Sequence, residues 1–143
     1  MQGKASLMAF KGLDKHLRRL RKLASADVER VAGAVVYEGA DTIHAEAFRM
    51  VSAGSVSGAG HVASRPGQAP NRDTGTLQAN FETAKTGRVS AEFRSKAPYA
   101  AALEFGTSKM AARPHIRPAR DKKAQEVRDR LAEQMNILVK RSG

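Results

Sequence analysis

The chain has 143 residues, a formal net charge of +11, no Cys and no Trp. That length suits one domain, whose folding buries roughly 70% of the extended surface. Without cysteines there are no disulfides or thiolate metal sites, and no stretch approaches the roughly 20 apolar residues of a membrane span.

With no Trp and five Phe, the core must be largely aliphatic, built on Leu, Val, Ala and Met. The N-terminus carries positive charge but no apolar segment of signal-peptide type, so synthesis in the cytoplasm is expected. The charge is unevenly spread. Residues 1–26 hold seven Lys/Arg against one acid, residues 27–50 hold two against five, and residues 113–143 hold nine against four. Two basic ends therefore flank an acidic middle. Such a pattern arises from solvated helix faces and from pairing of the middle with the ends, within or between subunits. It also suits a surface beside nucleic acid or another polyanion.

Residues 1–26 form a basic N-terminal segment, with an edge strand expected near Leu7–Phe10. Leu13, Leu17, Leu20 and Ala24 then mark one side of a helix surrounded by Lys15, Arg18, Arg19, Arg21 and Lys22. The helix is too short and too poor in aromatics for a membrane-surface segment, so its leucine edge is expected to dock on the domain. Ser25-Ala26-Asp27 provides a cap for a central helix over residues 27–50. Val28, Val31, Ala32, Val35, Ile43, Ala47 and Met50 form its apolar stripe. Gly33 and Gly39 cost it about 1 kcal/mol each relative to Ala and suggest close approach of another backbone. Glu38, Asp41 and Glu46 lie off the stripe, on an expected solvated face, and His44 is expected as a hydrogen-bonded boundary residue.

Residues 51–73 are dominated by Gly, Ser, Ala and Pro. They predict a long loop without a packed element, mobile in the free subunit and ordered against neighbours in an assembly. Its GSVSGAG fragment lacks the Gly-Lys-Ser/Thr of a phosphate-binding loop. Residues 74–116 begin with a β region. Leu77, Ala79 and Phe81 alternate with polar residues, although one helical turn could open the run. Residues 85–88 make a turn, and Val89, Ala91 and Phe93 alternate beyond it, giving an antiparallel hairpin. Residues 98–105 fit either a strand or a short helix, with three alanines favouring the helix. Prolines at 114 and 118 place Arg113 and Arg117 on extended backbone and allow a helix from Pro118. Residues 117–143 then form a C-terminal helix with Ala124, Val127, Leu131, Met135 and Leu138 as its stripe. The fold class expected is α+β: a long central helix and a C-terminal helix on a small antiparallel sheet.

No catalytic constellation can be built. The four His fall in different elements and match no metal-binding spacing, and there is no nucleophile elbow. No cofactor is expected. The paired acids of the central helix read most simply as a solvated face.

The segment PYAAALEFGT followed by MAARPHIRPA resembles the signature of a small tail-component family of HK97-like tailed phages, known as neck, head–tail connector or tail-completion proteins. The positions that match are Glu104, Phe105, Gly106, Thr107, Ala112, Arg113, Pro114, Arg117 and Pro118. His115 and Ile116 stand where an aromatic and a Leu are usual. Arg65-Pro66-Gly67, Pro70 and Arg72-Asp-Thr-Gly-Thr-Leu77 resemble the family's preceding motifs. The resemblance implies a structural virion protein with no enzymatic activity, made in the host cytoplasm. It implies a homo-oligomeric ring, hexameric or twelvefold, that meets other neck and tail proteins at the head–tail junction. Tail terminator and minor tail protein are alternative roles in the same particle.

Within that signature Glu104 is the one carboxylate, and a partly buried charge needs a partner. A guanidinium from Arg113 or Arg117, in the same subunit or the next, is the expected one. A non-specific DNA-binding protein is the competing function. No base-reading motif is present, but Lys15, Arg18, Arg19, Arg21 and Lys22, with Arg120, Lys122, Lys123, Arg128 and Arg130, could face phosphates of double-stranded DNA in a lumen.

Overall fold

The computed structural model describes residues 12–53 and 58–142. Five α-helices and one antiparallel hairpin follow in chain order: α1 Leu13–Leu23, α2 Ala26–Ser52, α3 Thr76–Ala79, β1 Phe81–Gly87, β2 Ser90–Ser95, α4 Ala100–Phe105 and α5 Ile116–Arg141. A single 3-10 turn covers Gly58–Gly60. The class is α+β, as the periodicities indicate. The strand expected near residues 7–10, and the stretch 54–57 of the long loop, lie outside the described residues.

The long helix α2 is the axis of the fold. One side carries the hairpin and another carries α5, which runs antiparallel to it: Lys122 meets Glu46, Val127 meets Gly39 and Arg130 meets Glu38. The two helix glycines mark these approaches. A Cβ on Gly33 would collide with the main-chain oxygen of Arg88 at the hairpin tip, and one on Gly39 would stand 2.7 Å from Val127 Cγ1. Each glycine thus exchanges helix propensity for proximity.

The expected β region splits. Thr76–Ala79 is the short helix α3, and the first strand begins only at Phe81. Pairing runs from Phe81 opposite Ser95 to Gly87 opposite Ser90, with a bulge between Lys85 and Gly87. Val89 falls in the turn and stays exposed. Residues 100–105 are helical, the alternative favoured by their alanines.

The core lies at the C-terminal half of α2. Ala47, Val51, Leu77, Phe81, Ala97, Ala100 and Ala119 are buried there, with Ile43, Met50, Phe93 and Leu103 packed against them. Four rings run through it. His44 stacks on Phe93 at 5.1 Å, Phe93 meets Phe81 edge-on at 5.2 Å, and Phe81 stacks on His115 at 5.8 Å. His44 is the hydrogen-bonded boundary residue expected, 2.9 Å from Thr83 Oγ1.

Two expectations fail. The leucine edge of α1 does not dock on the domain: no α1 residue is buried, and Leu13, Leu17 and Leu20 stand 40–60% exposed. The spacing of apolar residues reveals a face but not what covers it. Glu46, expected in solvent, is only 6% exposed. It is reached by Arg49 Nη2 at 2.6 Å and by Lys122 Nζ of α5 at 2.7 Å. The hydrogen bond from Arg49, then that from Lys122, holds its carboxyl down at about 2 against the upward push of burial. A depressed carboxyl stabilises the fold above its ordinary value of 4.5, and that contribution is lost as pH falls toward about 2. Glu46→Gln is expected to cost about 1–2 kcal/mol at neutral pH, because both cations remain exposed and screened. Urea unfolding measures it, and the variant's stability should fall less between neutral pH and pH 3 than the parent's.

Candidate functional site

The signature segment folds into a compact clasp. α4 ends at Phe105, and Gly106 turns the chain with φ +75°, a conformation that disfavours a side chain. A Cβ there would also lie 2.9 Å from the Ala112 nitrogen. Thr107 and Met110 close a tight loop, the Thr107 N–H donating to the Met110 carbonyl at 2.8 Å. The chain then runs back along α4, where the Arg113 N–H donates to the Leu103 carbonyl at 2.6 Å.

Glu104 takes neither guanidinium. Its side chain, 8% exposed, points at the start of α5. The His115 and Ile116 N–H groups donate to Oε2 at 2.9 and 3.0 Å, and the Arg117 N–H donates to Oε1 at 2.8 Å. A helix leaves its first N–H groups without intrahelical acceptors. Here three of them are taken by one carboxylate, and the next residue, Pro118, has no N–H to satisfy. α5 has no side-chain cap of its own and no acid in its first turn, so Glu104 supplies both the cap and the charge that suits the helix dipole. The helix accordingly starts at Ile116, ahead of the proline expected to open it.

Burial pushes the Glu104 carboxyl up, but the N–H bonds from His115, Arg117 and Ile116 outweigh it and hold the group below its ordinary value. His115 is fully buried beneath Phe81, with Nδ1 3.3 Å from Glu104 and 3.4 Å from the Arg113 carbonyl. Burial lowers its pKa, only partly opposed by the Glu104 charge and the Arg113 carbonyl. The imidazole therefore fills the place of an aromatic ring as a neutral group.

The other two motifs meet this clasp. The Gly67 N–H donates to the Ala112 carbonyl at 2.9 Å, and the Arg72 N–H donates to the Val51 carbonyl at 3.1 Å. Ser64 and Pro70 are buried. The described part of the loop over residues 51–73 is thus joined to the body by main-chain bonds at Gly67 and Arg72. The three motifs border one cleft of about 390 Å³, lined among others by Ser64, Arg72, Leu77, Gln78, Leu103 and Arg113. Ser64 Oγ, Gln78 Oε1 and Arg113 Nε are buried there without a hydrogen-bond partner.

On the other side of α4 lies a more apolar groove of about 550 Å³, bordered by Ala100, Ala101, Phe105, Ile116 and Arg117. Phe105 stands over it 79% exposed. The candidate phosphate contacts at residues 15–22 and 120–123 divide into two sets. Arg120 pairs with Asp121, Lys122 with Glu46 and Lys123 with Glu126. Lys15, Arg18, Arg19, Arg21 and Lys22 ring α1, whose acid is Asp14. No helix among the described residues is long and apolar enough to cross a membrane.

The role of Glu104 was missed in the sequence because its partners are main-chain groups, which carry no residue-type signature. The spacing between Glu104 and the next proline-bounded helix start was the available signal. No curated protein and no solved structure matches the chain. The family model described as "Bacteriophage HK97-gp10, putative tail-component" matches residues 14–106, from α1 through the turn glycine of the clasp. The chain therefore belongs to the HK97 gp10-like family of bacteriophage tail components.

Proposed function

We propose that this tail component is a ring-forming neck or tail-completion subunit at the head–tail junction. The observation that carries the reading is Phe105, a large aromatic held on braced backbone yet left 79% exposed. Aromatics presented in this way anchor protein interfaces. The cleft across α4 from it, lined by Gln78, Leu103 and Arg113, suits a neighbour's extended segment. A peptide backbone offers both an N–H for Gln78 Oε1 and a carbonyl for Arg113 Nε, two of the buried groups that have no hydrogen-bond partner in the subunit. Closed cyclic symmetry would make such contacts head-to-tail, and hexameric or twelvefold order fits a junction of this kind.

Electron microscopy of particles lacking this gene product tests the role. Full heads and separate finished tails are expected; absent tails would place the protein at an earlier step and overturn the reading. In the purified subunit, Phe105→Ser is expected to change stability by less than about 0.5 kcal/mol while sharply reducing infectious particles in complementation.

The competing reading, a free-standing non-specific DNA-binding protein, draws on the five cations of α1 and on Arg128, since Arg120, Lys122, Lys123 and Arg130 of α5 are each engaged with an acid. A steep fall of DNA affinity with rising salt would support it. We expect no measurable retention of duplex DNA by the isolated subunit at physiological salt, read by filter binding.

A further inference from the structure

Glu104, the acid expected to pair with Arg113, is held by main-chain N–H groups at the start of α5. The Arg113 guanidinium is left without it. Among the described residues it forms no ion pair, and its Nε is buried with no hydrogen-bond partner. Two further side chains on the same cleft are in the same state. Gln78 is 6% exposed and Ser64 8%. The Gln78 amide is anchored at one end, where Nε2 donates to Ser52 Oγ at 3.3 Å, so Oε1 is the end left over. All of them line the cleft of about 390 Å³, whose apolar wall includes Leu77, Tyr99 and Leu103. Asp73, the one acid on the lining, is exposed. Each unpaired buried group destabilises the free subunit, and a ligand that satisfies them removes that cost.

The three demands differ. Arg113 donates and is charged, so it calls for an anionic acceptor. The Ser64 hydroxyl can donate to a second oxygen of the same anion. Gln78 Oε1 only accepts, so it calls for an N–H. An internal peptide unit has one N–H and one neutral carbonyl, which leaves the guanidinium charge uncompensated. The last residue of a chain carries an N–H and a two-oxygen carboxylate on one Cα, which meets all three. An internal Asp or Glu also has a carboxylate, but more torsions must be frozen to bring it and its own N–H to the cleft together. We propose that the cleft takes the C-terminal residue of a neighbouring protein, with its carboxylate on Arg113 and Ser64, its N–H on Gln78 Oε1, and the end segment against Tyr99 and Leu103. This inference rests on the assembly role proposed above and names what its cleft recognises, a chain end in place of any extended stretch.

NMR titration of the full chain tests it, following the Arg113 side-chain N–H and the main-chain amides of Ser64 and Gln78. N-acetylglycine carries the N–H and carboxylate of a chain end. N-acetylglycinamide keeps the N–H without the charge, and the α-amide of N-acetylaspartate mimics an internal acid. N-acetylglycine is expected to shift all three signals saturably, and the other two probes should bind at least about tenfold more weakly. Arg113→Gln should abolish the response without lowering the melting temperature, because the guanidinium bonds to nothing in the free subunit; an arginine that only supports the fold would lower it. Gln78→Glu, close in volume, should weaken the response at least about tenfold by setting one carboxylate against another. No saturable shift in the wild type overturns the proposal, and so does a response that survives in both variants. Equal binding of N-acetylglycinamide or of the aspartate probe overturns the chain end in favour of an internal peptide unit or an internal acid. In each of these cases the assembly role stands if particles lacking the protein are defective. Intact particles would remove that role whatever the cleft binds.

Discussion

Glu104→Gln is expected to lower folding stability by about 3 kcal/mol. The carboxylate accepts from three consecutive main-chain N–H groups with two oxygens. An amide offers one oxygen and turns an NH₂ group toward the remaining donors, so at least one N–H loses its acceptor and faces another donor. The charge facing the helix N-terminus is lost as well. Chemical denaturation should show a lower midpoint with an unchanged slope. A variant as stable as the parent would mean that water or a shifted α5 start replaces the clasp.

The same site sets a pH dependence. The folded His115 has a depressed pKa, so the unfolded chain binds a proton that the folded chain refuses. Stability is therefore full above the imidazole's ordinary 6.5 and declines as pH falls below it. Glu104 is also depressed, and its contribution is present above 4.5 and is lost as pH falls through its lower folded value. Unfolding free energies measured from pH 8 down to about 3 should show both declines in the parent. Glu104→Gln should keep the first and lose its share of the second.

Gly33→Ala is the second large effect, and its sign opposes helix propensity. In an exposed helix interior the change would stabilise by about 1 kcal/mol. Here the new methyl group meets the Arg88 carbonyl, a main-chain atom at the hairpin tip that cannot swing aside. Moving the tip strains its bulge and its seat on α2, and a net loss of about 2 kcal/mol is expected. Gly39→Ala is the matched comparison. Its neighbour is the Val127 side chain, which can shift with α5 at smaller cost, so that variant should lie within about 1 kcal/mol of the parent. Urea midpoints of the two variants, measured side by side, decide whether the obstacle at residue 33 is the backbone oxygen.

The helices and hairpin were readable because apolar spacing reports directly on the period of the backbone and on which residues share a face. Gly33 and Gly39 were readable as approach points because only a close neighbour justifies glycine there. Other features depend on where distant elements come to rest. Glu46 lies off the stripe of α2, and its burial follows from the seat of Lys122 on α5. The leucines of α1 carry the same spacing whether a subunit or its neighbour covers them. Thr76–Ala79 combines alternating polarity with helix-compatible residues, so periodicity over four positions could not separate strand from helix. For the candidate site, the motifs at 65–77 and 104–118 were visible as separate strings. Their convergence on one cleft was not, because the Gly67–Ala112 bond joins main-chain atoms.

Glu104 and Phe105 are adjacent, and this has a mechanical consequence. In the assembly proposed above, a neighbour gripping the exposed ring would pull on a peptide whose preceding side chain, Glu104, holds the first turn of α5. Tension entering at that ring reaches the axis of a 26-residue rod without crossing any pliable segment. In the junction role proposed above, such a stiff strut would pass load along the subunit and spare its thin hairpin.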